Sequence, residues 1–463
     1  MQKVTAVFDI GKTNKKFFLF DRYFREVHRE YVSFPEIVDE DGYPTEDLPA
    51  LQSWLREVFH RILEAEAYDV RAINFSSYGA SLVYLDDEGK VLTPLYNYHK
   101  PLDPALIADF YAKYGPEESF AVATGSTNAG RLNAGMQLYW LKYARPEVFA
   151  RLRYALHLPQ YLSYVFTGIP LSEYTSIGCH TALWDYAAKD YHRWVYAEGL
   201  HRVLPAIVST ETSINMNYNG RRIKIGVGIH DSSAALLPYI RSERKPFVLV
   251  STGTWSVALN PFTKRPLTPE DLANGCINYL RINGKPVKAA RLFLGQEYKL
   301  QTGLLAKHYG VADDFHKSIR FDFGIYQRLM KDFRRRFHFR EITGYEGPGM
   351  TNLAGLTYPE AYHQLMMELL DLQAQSIRSA LGGTPAVKLF IDGGFSDNDV
   401  YVKLLSHHFR DLDLRTTDAS LGSALGAALC IADTRLNSKF LKQTYGLRKH
   451  KPFIVGELDR QSG

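Results

Sequence analysis

Four short segments carry residue types that do chemistry. In Gly228-Ile229-His230-Asp231-Ser232-Ser233-Ala234-Ala235 an acidic residue stands where a helix should start. Such an Asp has two readings. It is an N-cap that accepts from first-turn amides, or a general base that takes a hydroxyl proton as a phosphoryl group arrives. The second segment is Asp9-Ile10-Gly11-Lys12-Thr13-Asn14, at the end of an apolar run. It is not a P-loop. Ala6 stands where the first glycine is required, and Lys15 to Asp21 reads as strand instead of helix. It reads as a hairpin, either a plain one or one whose turn amides cup an anion, with Asp9 then placed to hold Mg²⁺ directly or through water. Gly253-Thr254 is a second turn of this kind. Asp392-Gly393-Gly394-Phe395-Ser396-Asp397-Asn398 is a strand-to-helix turn, either a simple tight connection or a place where paired glycines let backbone approach a base or ribose.

Other chemistries lack their residues. Gly226-Val227-Gly228 has no third glycine and no acidic residue about 20 positions on, so it is no dinucleotide fingerprint. Cys179, Cys276 and Cys430 are widely spaced and form no CxxC pair, which points away from zinc and disulfides and toward a reducing cytosol. His407-His408 lacks ligand spacing and reads as surface. His230 reads as packed or surface, not as a second catalytic group.

The elements that must position these segments form two similar series. Val4 to Asp9, Phe17 to Asp21 and Arg25 to Phe34 read as three strands. Leu48, Leu51, Trp54, Leu55, Val58, Phe59, Ile62 and Leu63 recur at helical spacing. Ala72 to Phe75 is a strand, and residues 130–170 read as largely helical. After the charged break at 243–246, Phe247 to Ser251 and Ser256 to Leu259 are strands flanking Gly253-Thr254. Val387 to Ile391 is another strand, a helix through Val400, Leu404 and Leu405 follows, and a small-residue helix covers Ala424 to Ala432. A strand ending in a Gly-Thr or Gly-Lys-Thr turn thus recurs at about half the chain, which predicts two related α/β domains, 1–240 and 241–463.

The 463 residues are 46% hydrophobic and 23% charged, enough for two cores and too apolar for disorder. Net charge is +5, which alone demands no polyanionic partner. Arg334, Arg335, Arg336 and Arg340 alternate with Phe333, Phe337 and Phe339, and read as a solvated element whose aromatics face a core. No nucleic-acid module accompanies them. No apolar run of about 18 residues and no leader pattern is present, so no membrane association and a cytoplasmic location are expected.

In this order the segments resemble the FGGY carbohydrate kinases. Asp9 to Lys16, Gly125-Ser126, Leu158 to Tyr164, Thr167-Gly168, Glu173-Tyr174-Thr175, His230-Asp231, Gly253-Thr254-Trp255-Ser256 and Gly393-Gly394 carry the resemblance. His230-Asp231 and Gly253-Thr254-Trp255-Ser256 are most similar to the rhamnulokinase and fuculokinase branch. The resemblance implies two RNase H-like (actin-like ATPase) domains flanking a cleft, ATP and Mg²⁺, and phosphorylation of a ketose at a terminal hydroxyl. It implies Asp231 as base. Gly11, Lys12, Thr13, Asn14 and Lys16 would serve the nucleotide phosphates, and Gly253 and Thr254 the γ-phosphate. Gly393, Gly394 and Asn398 would serve the adenosine. It places the sugar at Gly79, Ala80, Ser81, Tyr98 and His99. Ser81, His99-Lys100, Gln160 and Asp392 depart from the family pattern, so the sugar is left open. A small-molecule sugar is the expected partner, for a monomer or homodimer. The rival expectation is a nucleotide-binding, actin-like or sugar-sensing protein that transfers no phosphate.

Overall fold

The computed structural model describes residues 1–12, 14–342, 344–418, 421–432, 436–437 and 439–453. Among these, two seven-stranded sheets organise the chain. The first takes β1 (Gln2–Ile10), β2 (Lys15–Asp21), β3 (Glu26–Val32), β4 (Tyr68–Ser77), β5 (Ser213–Tyr218) and β6 (Arg221–Gly226), in the order β5-β6-β4-β1-β2-β3. The two-residue strand Ile229–His230 also pairs with β4. The second takes β7 (Phe247–Thr252), β8 (Ser256–Asn260), β9 (Cys276–Leu280), β10 (Pro286–Leu292), β11 (Lys388–Gly393) and β12 (Asp413–Thr416), in the order β9-β10-β8-β7-β11-β12, with Arg448–Lys449 at its edge.

The two sheets share one logic. β1 pairs antiparallel with β2 and parallel with β4. β7 likewise pairs antiparallel with β8 and parallel with β11. The half-chain repeat seen in the residues is therefore a repeat of topology, and the turns after β1 and β7 occupy equivalent places.

Strand alternation explains the layers. Val4, Ala6, Phe8 and Ile10 face one way and pack with Leu51, Leu55, Val58 and Phe59 of helix Leu48–Glu64. Val7, Phe18 and Phe20 face the other way, into a core shared with Phe247, Leu249, Ala234, Leu237 and Ala427. That shared core is built on two helices, α1 (Asp231–Ser242) and α2 (Gly422–Cys430). They cross closely because α2 carries small residues. A side chain at Gly426 would run into the Ala234 carbonyl. Val248 and Val250 point outward to a third core with Leu365 and Leu369 of helix Tyr358–Leu381.

Residues 130–170 are less helical than the sequence predicts. Helices Ala134–Ala144 and Leu158–Thr167 form, but Tyr154–His157 is a strand. It pairs antiparallel with Leu82–Leu85. A four-residue apolar run has no periodicity of its own, so its distant partner decides. Phe337 and Phe339 are buried while Arg334, Arg335 and Arg340 are exposed, as expected; Phe333 is exposed too. His407, expected at the surface, instead stacks on Phe453 at 4.0 Å.

Candidate active site

Asp231 opens α1, but as its first helical residue, not as its cap. His230 is the N-cap and makes no side-chain capping bond. The Asp231 carboxylate accepts from its neighbour instead, with Ser232 N 2.5 Å and Ser232 Oγ 3.2 Å from Oδ1. Burial pushes its pKa from 3.8 up to about 6, against the pull of the two Ser232 bonds. Such a carboxylate is largely ionised at neutral pH yet basic enough to accept a proton. His230, expected to be packed or at the surface, is buried. Its Nε2 lies 3.2 Å from Asp231 Oδ1 and 3.1 Å from Cys179 Sγ. Burial lowers its pKa to about 4, so it is neutral at pH 7.

Asp9, Lys16, Asp231, Asp392, Gly393 and Ser423 line one cavity of about 340 Å³. Asp9 sits at the end of β1. Its Oδ1 accepts from Ser423 Oγ at 2.8 Å and its Oδ2 lies 4.0 Å from Lys16 Nζ. Burial raises the Asp9 pKa, Ser423 and Lys16 oppose that, and Asp231 adds to it. Among the described residues no cluster of three His, Cys, Asp or Glu could hold a metal alone. One cavity-facing carboxylate does fit Mg²⁺, which is commonly held by one or two carboxylates plus water and substrate phosphates. Asp392 contributes a further buried carboxyl. Its Oδ2 accepts from Tyr239 OH at 3.2 Å, and burial lifts its pKa to about 7.

The turn after β1 is closed by Gly11 N donating to Asn14 O at 3.0 Å. Thr13 lies outside the described residues. Lys12 does not extend freely. Its Nζ is 3.3 Å from Glu46 and 3.8 Å from Glu36, and 5.8 Å from the centre of the Tyr98 ring. Lys15, which the sequence left unassigned, is buried beneath the turn. It donates to Lys12 O at 2.9 Å and pairs with Glu46 at 2.8 Å. Glu46 also accepts from Tyr78 OH at 2.6 Å. No local motif flags Glu46, which lies far from the turn in sequence.

Gly253, Thr254, Gly394 and Asn398 line a second cavity, of about 680 Å³, on the second half. Gly253 N donates to Trp255 O at 2.8 Å, and Gln296 N to Thr254 O at 3.1 Å. Gly393 adopts φ +85°, and a side chain there would strike Thr252 O. Only glycine fits that turn. Asn398 caps helix Asp399–His408 by accepting from Tyr401 N at 3.1 Å, while its Nδ2 donates to Tyr362 OH at 2.9 Å.

The expected sugar residues are partly gathered. A side chain on Gly79 would meet the His230 ring at 3.3 Å and Cys179 Sγ at 3.4 Å, so Gly79 lies beside the Asp231 support. Ala80 has φ +65°, held by Gln137 Nε2 donating to its carbonyl. Ser81 is buried and Tyr98 half-buried. Both Glu46 and Asp231 raise the Tyr98 pKa, after burial. His99 is exposed and reaches this region through the Tyr98 ring, at 4.4 Å. Lys100 is spent on a buried pair with Asp39 at 2.5 Å and a second bond to Asp41 at 2.6 Å. Gln160 is also internal, donating to Val227 O at 3.3 Å.

The site draws on both sheets, through Asp9 at the end of β1 and Asp392 on β11. The model of the N-terminal domain of the FGGY family of carbohydrate kinases matches residues 4–234. Rhamnulokinase from Halalkalibacterium halodurans is 26% identical over 182 residues, which span 38% of this chain and only 37% of that relative. The structure of a carbohydrate kinase from Novosphingobium aromaticivorans superposes with TM-score 0.78 at 24% identity, covering 99% of this chain and 97% of that one. Xylulose kinase from Rhodospirillum rubrum gives TM-score 0.81 at 16% identity, covering 99% and 96%. At such identities the two structures establish the fold, a pair of actin-like ATPase domains. With the N-terminal domain matched over residues 4–234, the chain belongs to the FGGY family of carbohydrate kinases.

Proposed function

We propose that the chain is an ATP-dependent kinase for a five- or six-carbon ketose, of the L-fuculose, L-rhamnulose or xylulose type, phosphorylated at a terminal hydroxyl. The observation that carries this reading is the shared cavity of Asp231, Asp9 and Lys16 at the junction of the two sheets. Residues 1–240 act as the sugar domain and 241–463 as the nucleotide domain.

Asp231 accepts the proton of the sugar hydroxyl as its oxygen bonds to the γ-phosphorus and the bond to the ADP oxygen breaks. His230 and Ser232 hold the carboxylate in place. The turns that Gly11 and Gly253 open, whose own two amides are spent on closing them, meet the phosphates with their remaining N–H groups, and Lys16 adds its charge. Asp9 would hold Mg²⁺, which supplies charge neutralisation when bound. The 680 Å³ cavity beside Gly394 and Asn398 has room for the nucleoside. A carboxylate held by His230 and Ser232 and open to this cavity has no evident use in a protein that only binds nucleotide. The free cysteines fit a reducing, cytoplasmic setting.

The test is a panel of ketoses and polyols with ATP, read as ADP release, on the native protein and on Asp231→Asn. Acceptor-dependent release lost in the variant supports the reading. Release that survives near the native rate overturns the base.

A further inference from the structure

Arg291 has no task in the proposed phosphoryl transfer. It lies on β10, where its register partner on β8 is Val257. Val257 lines the cavity that holds Asp9 and Asp231. Arg291 follows Val287 and Ala289 on the same strand face, the face that packs toward α1. Its guanidinium makes no ion pair or hydrogen bond to any described residue, and its Nε is buried without a partner. A half-buried, unpaired guanidinium is costly unless something else satisfies it.

Its surroundings come from both halves of the chain. The Arg291 charge opposes burial in setting the pKa of Cys179 and of Tyr279. It also helps burial hold His180 neutral, with a pKa near 3. The His180 ring lies 6.1 Å from Tyr279 and 6.5 Å from His230, whose Nε2 touches Asp231. β9 is pinned against the first half here. Asn278 N donates to Gly125 O at 3.2 Å, and Leu280 fills the space above Gly178.

His180 is set in an unusual way. Its backbone is left-handed, with φ +41°. Asn133 Nδ2 holds its carbonyl at 2.7 Å. Strain of this kind persists only where the surroundings impose it. His180 Nδ1 faces the Leu132 carbonyl at 3.1 Å. A carbonyl only accepts, so Nδ1 carries the proton and Nε2 is an acceptor. Neither His180 Nε2 nor the Tyr279 hydroxyl has a hydrogen-bond partner among the described residues, and neither atom is sealed in the core.

We infer that Arg291, Tyr279 and His180 form one wall of the acceptor pocket and that it reads a sugar acid, a carboxylate flanked by a hydroxyl. Arg291 offers a fork of donors that matches a carboxylate. His180 Nε2 accepts from the neighbouring hydroxyl, and Tyr279 bonds to either group. The inference rests on the kinase reading for the place of the acceptor and departs from it in one respect, an anionic sugar acid in place of a neutral ketose.

The test measures binding without ATP by calorimetry. It uses matched pairs that differ only at C1, such as 2-keto-D-gluconate against D-fructose and D-gluconate against D-glucitol, extended over five- and six-carbon stereoisomers. The tightest ligand should be an acid. Arg291→Gln should weaken it about 10-fold or more and leave its neutral partner within about threefold. Arg291→Lys, which keeps the charge and loses the fork, should fall between. A neutral best ligand, or a panel in which no acid binds, overturns the inference. So does an Arg291→Gln protein that weakens ATP and leaves the acid-to-neutral ratio unchanged, since the oxyanion is then the nucleotide's. ADP release with the best acid is read separately. Acid binding with no ADP release from any acceptor, acidic or neutral, refutes the kinase reading and leaves this one standing.

Discussion

Ser423 Oγ donates to Asp9 Oδ1 across 2.8 Å, joining the helix α2 near the end of the chain to the strand β1 at its start. The bond fixes one oxygen of a buried carboxylate and leaves the other toward Lys16. It also counters the burial that raises the Asp9 pKa. Asp9 therefore depends on the second half of the chain for both its orientation and its charge.

Ser423→Ala tests that dependence. Removing the hydroxyl leaves Asp9 less ionised and free to rotate. The Mg²⁺ concentration for half-maximal activity should rise about 10-fold, the usual scale for a lost partner behind a metal ligand. A Mg²⁺ titration of ADP release at fixed ATP measures it. An unchanged midpoint removes Asp9 from the metal site.

Asp231→Asn should lower kcat by about 10²- to 10⁴-fold, the scale of a lost general base. ATP affinity, measured by calorimetry, should hold, because Asn keeps the shape and the helix start.

The raised Asp231 pKa fixes the sign of two pH effects. As a base it works ionised, so kcat/KM should rise with pH and level off above an acid limb near pH 6. Stability runs the other way. The folded pKa exceeds the ordinary 3.8, so the contribution of this group is full below about pH 4 and is lost as pH rises through about 6. Asp231→Asn should therefore melt higher than the native protein at pH 7 to 8, and the gap should close by pH 4. Melting curves across that range read it directly.

The strands and both turns were legible because each rests on a local signal. Val4 to Asp9 and Phe247 to Ser251 are β-branched and apolar runs ended by glycine turns, and the Leu48 helix has a clear period. What escaped is what folding assembles from afar. Glu46 beneath Lys12 and Lys15, Ser423 against Asp9, and Arg291 within electrostatic reach of Tyr279 and His180 occupy no motif, and each acts through a partner from a distant segment. The strand Tyr154–His157 escaped for the same reason. Asp392 was visible as a departure from a glycine pattern, but its burial against Tyr239 was not.

Asp392 gives a third pH effect. With a pKa near 7 it is half neutral at pH 7 and anionic above it. Tyr239 bonds to the anion, while Asp418 opposes its formation. The carboxyl faces the cavity proposed for the phosphates, so its charge repels nucleotide. KM for ATP should rise between pH 6 and pH 8 in the native protein. In Asp392→Asn it should stay flat and fall below the native value at pH 8. Parallel profiles for the two proteins place Asp392 away from the nucleotide.

Two glycines, Gly253 on the turn after β7 and Gly295 in the helix Leu294–Tyr309 packed against it, separate ligand contact from fold. A side chain on Gly253 has room. Its first neighbour would be Trp255 O at 3.9 Å, and the backbone is not left-handed. A side chain on Gly295 has none, because it would overlap the Gly253 carbonyl. Gly253→Ala should therefore melt like the native protein yet raise KM for ATP, because the only group its methyl can crowd is a phosphate approaching the turn. Gly295→Ala should push the turn itself apart and lower both Tm and activity. Steady-state kinetics on Gly253→Ala decide the matter. A native melting temperature with a native KM for ATP means that no phosphate approaches Gly253, and the equivalence of the turns after β1 and β7 is then one of topology alone.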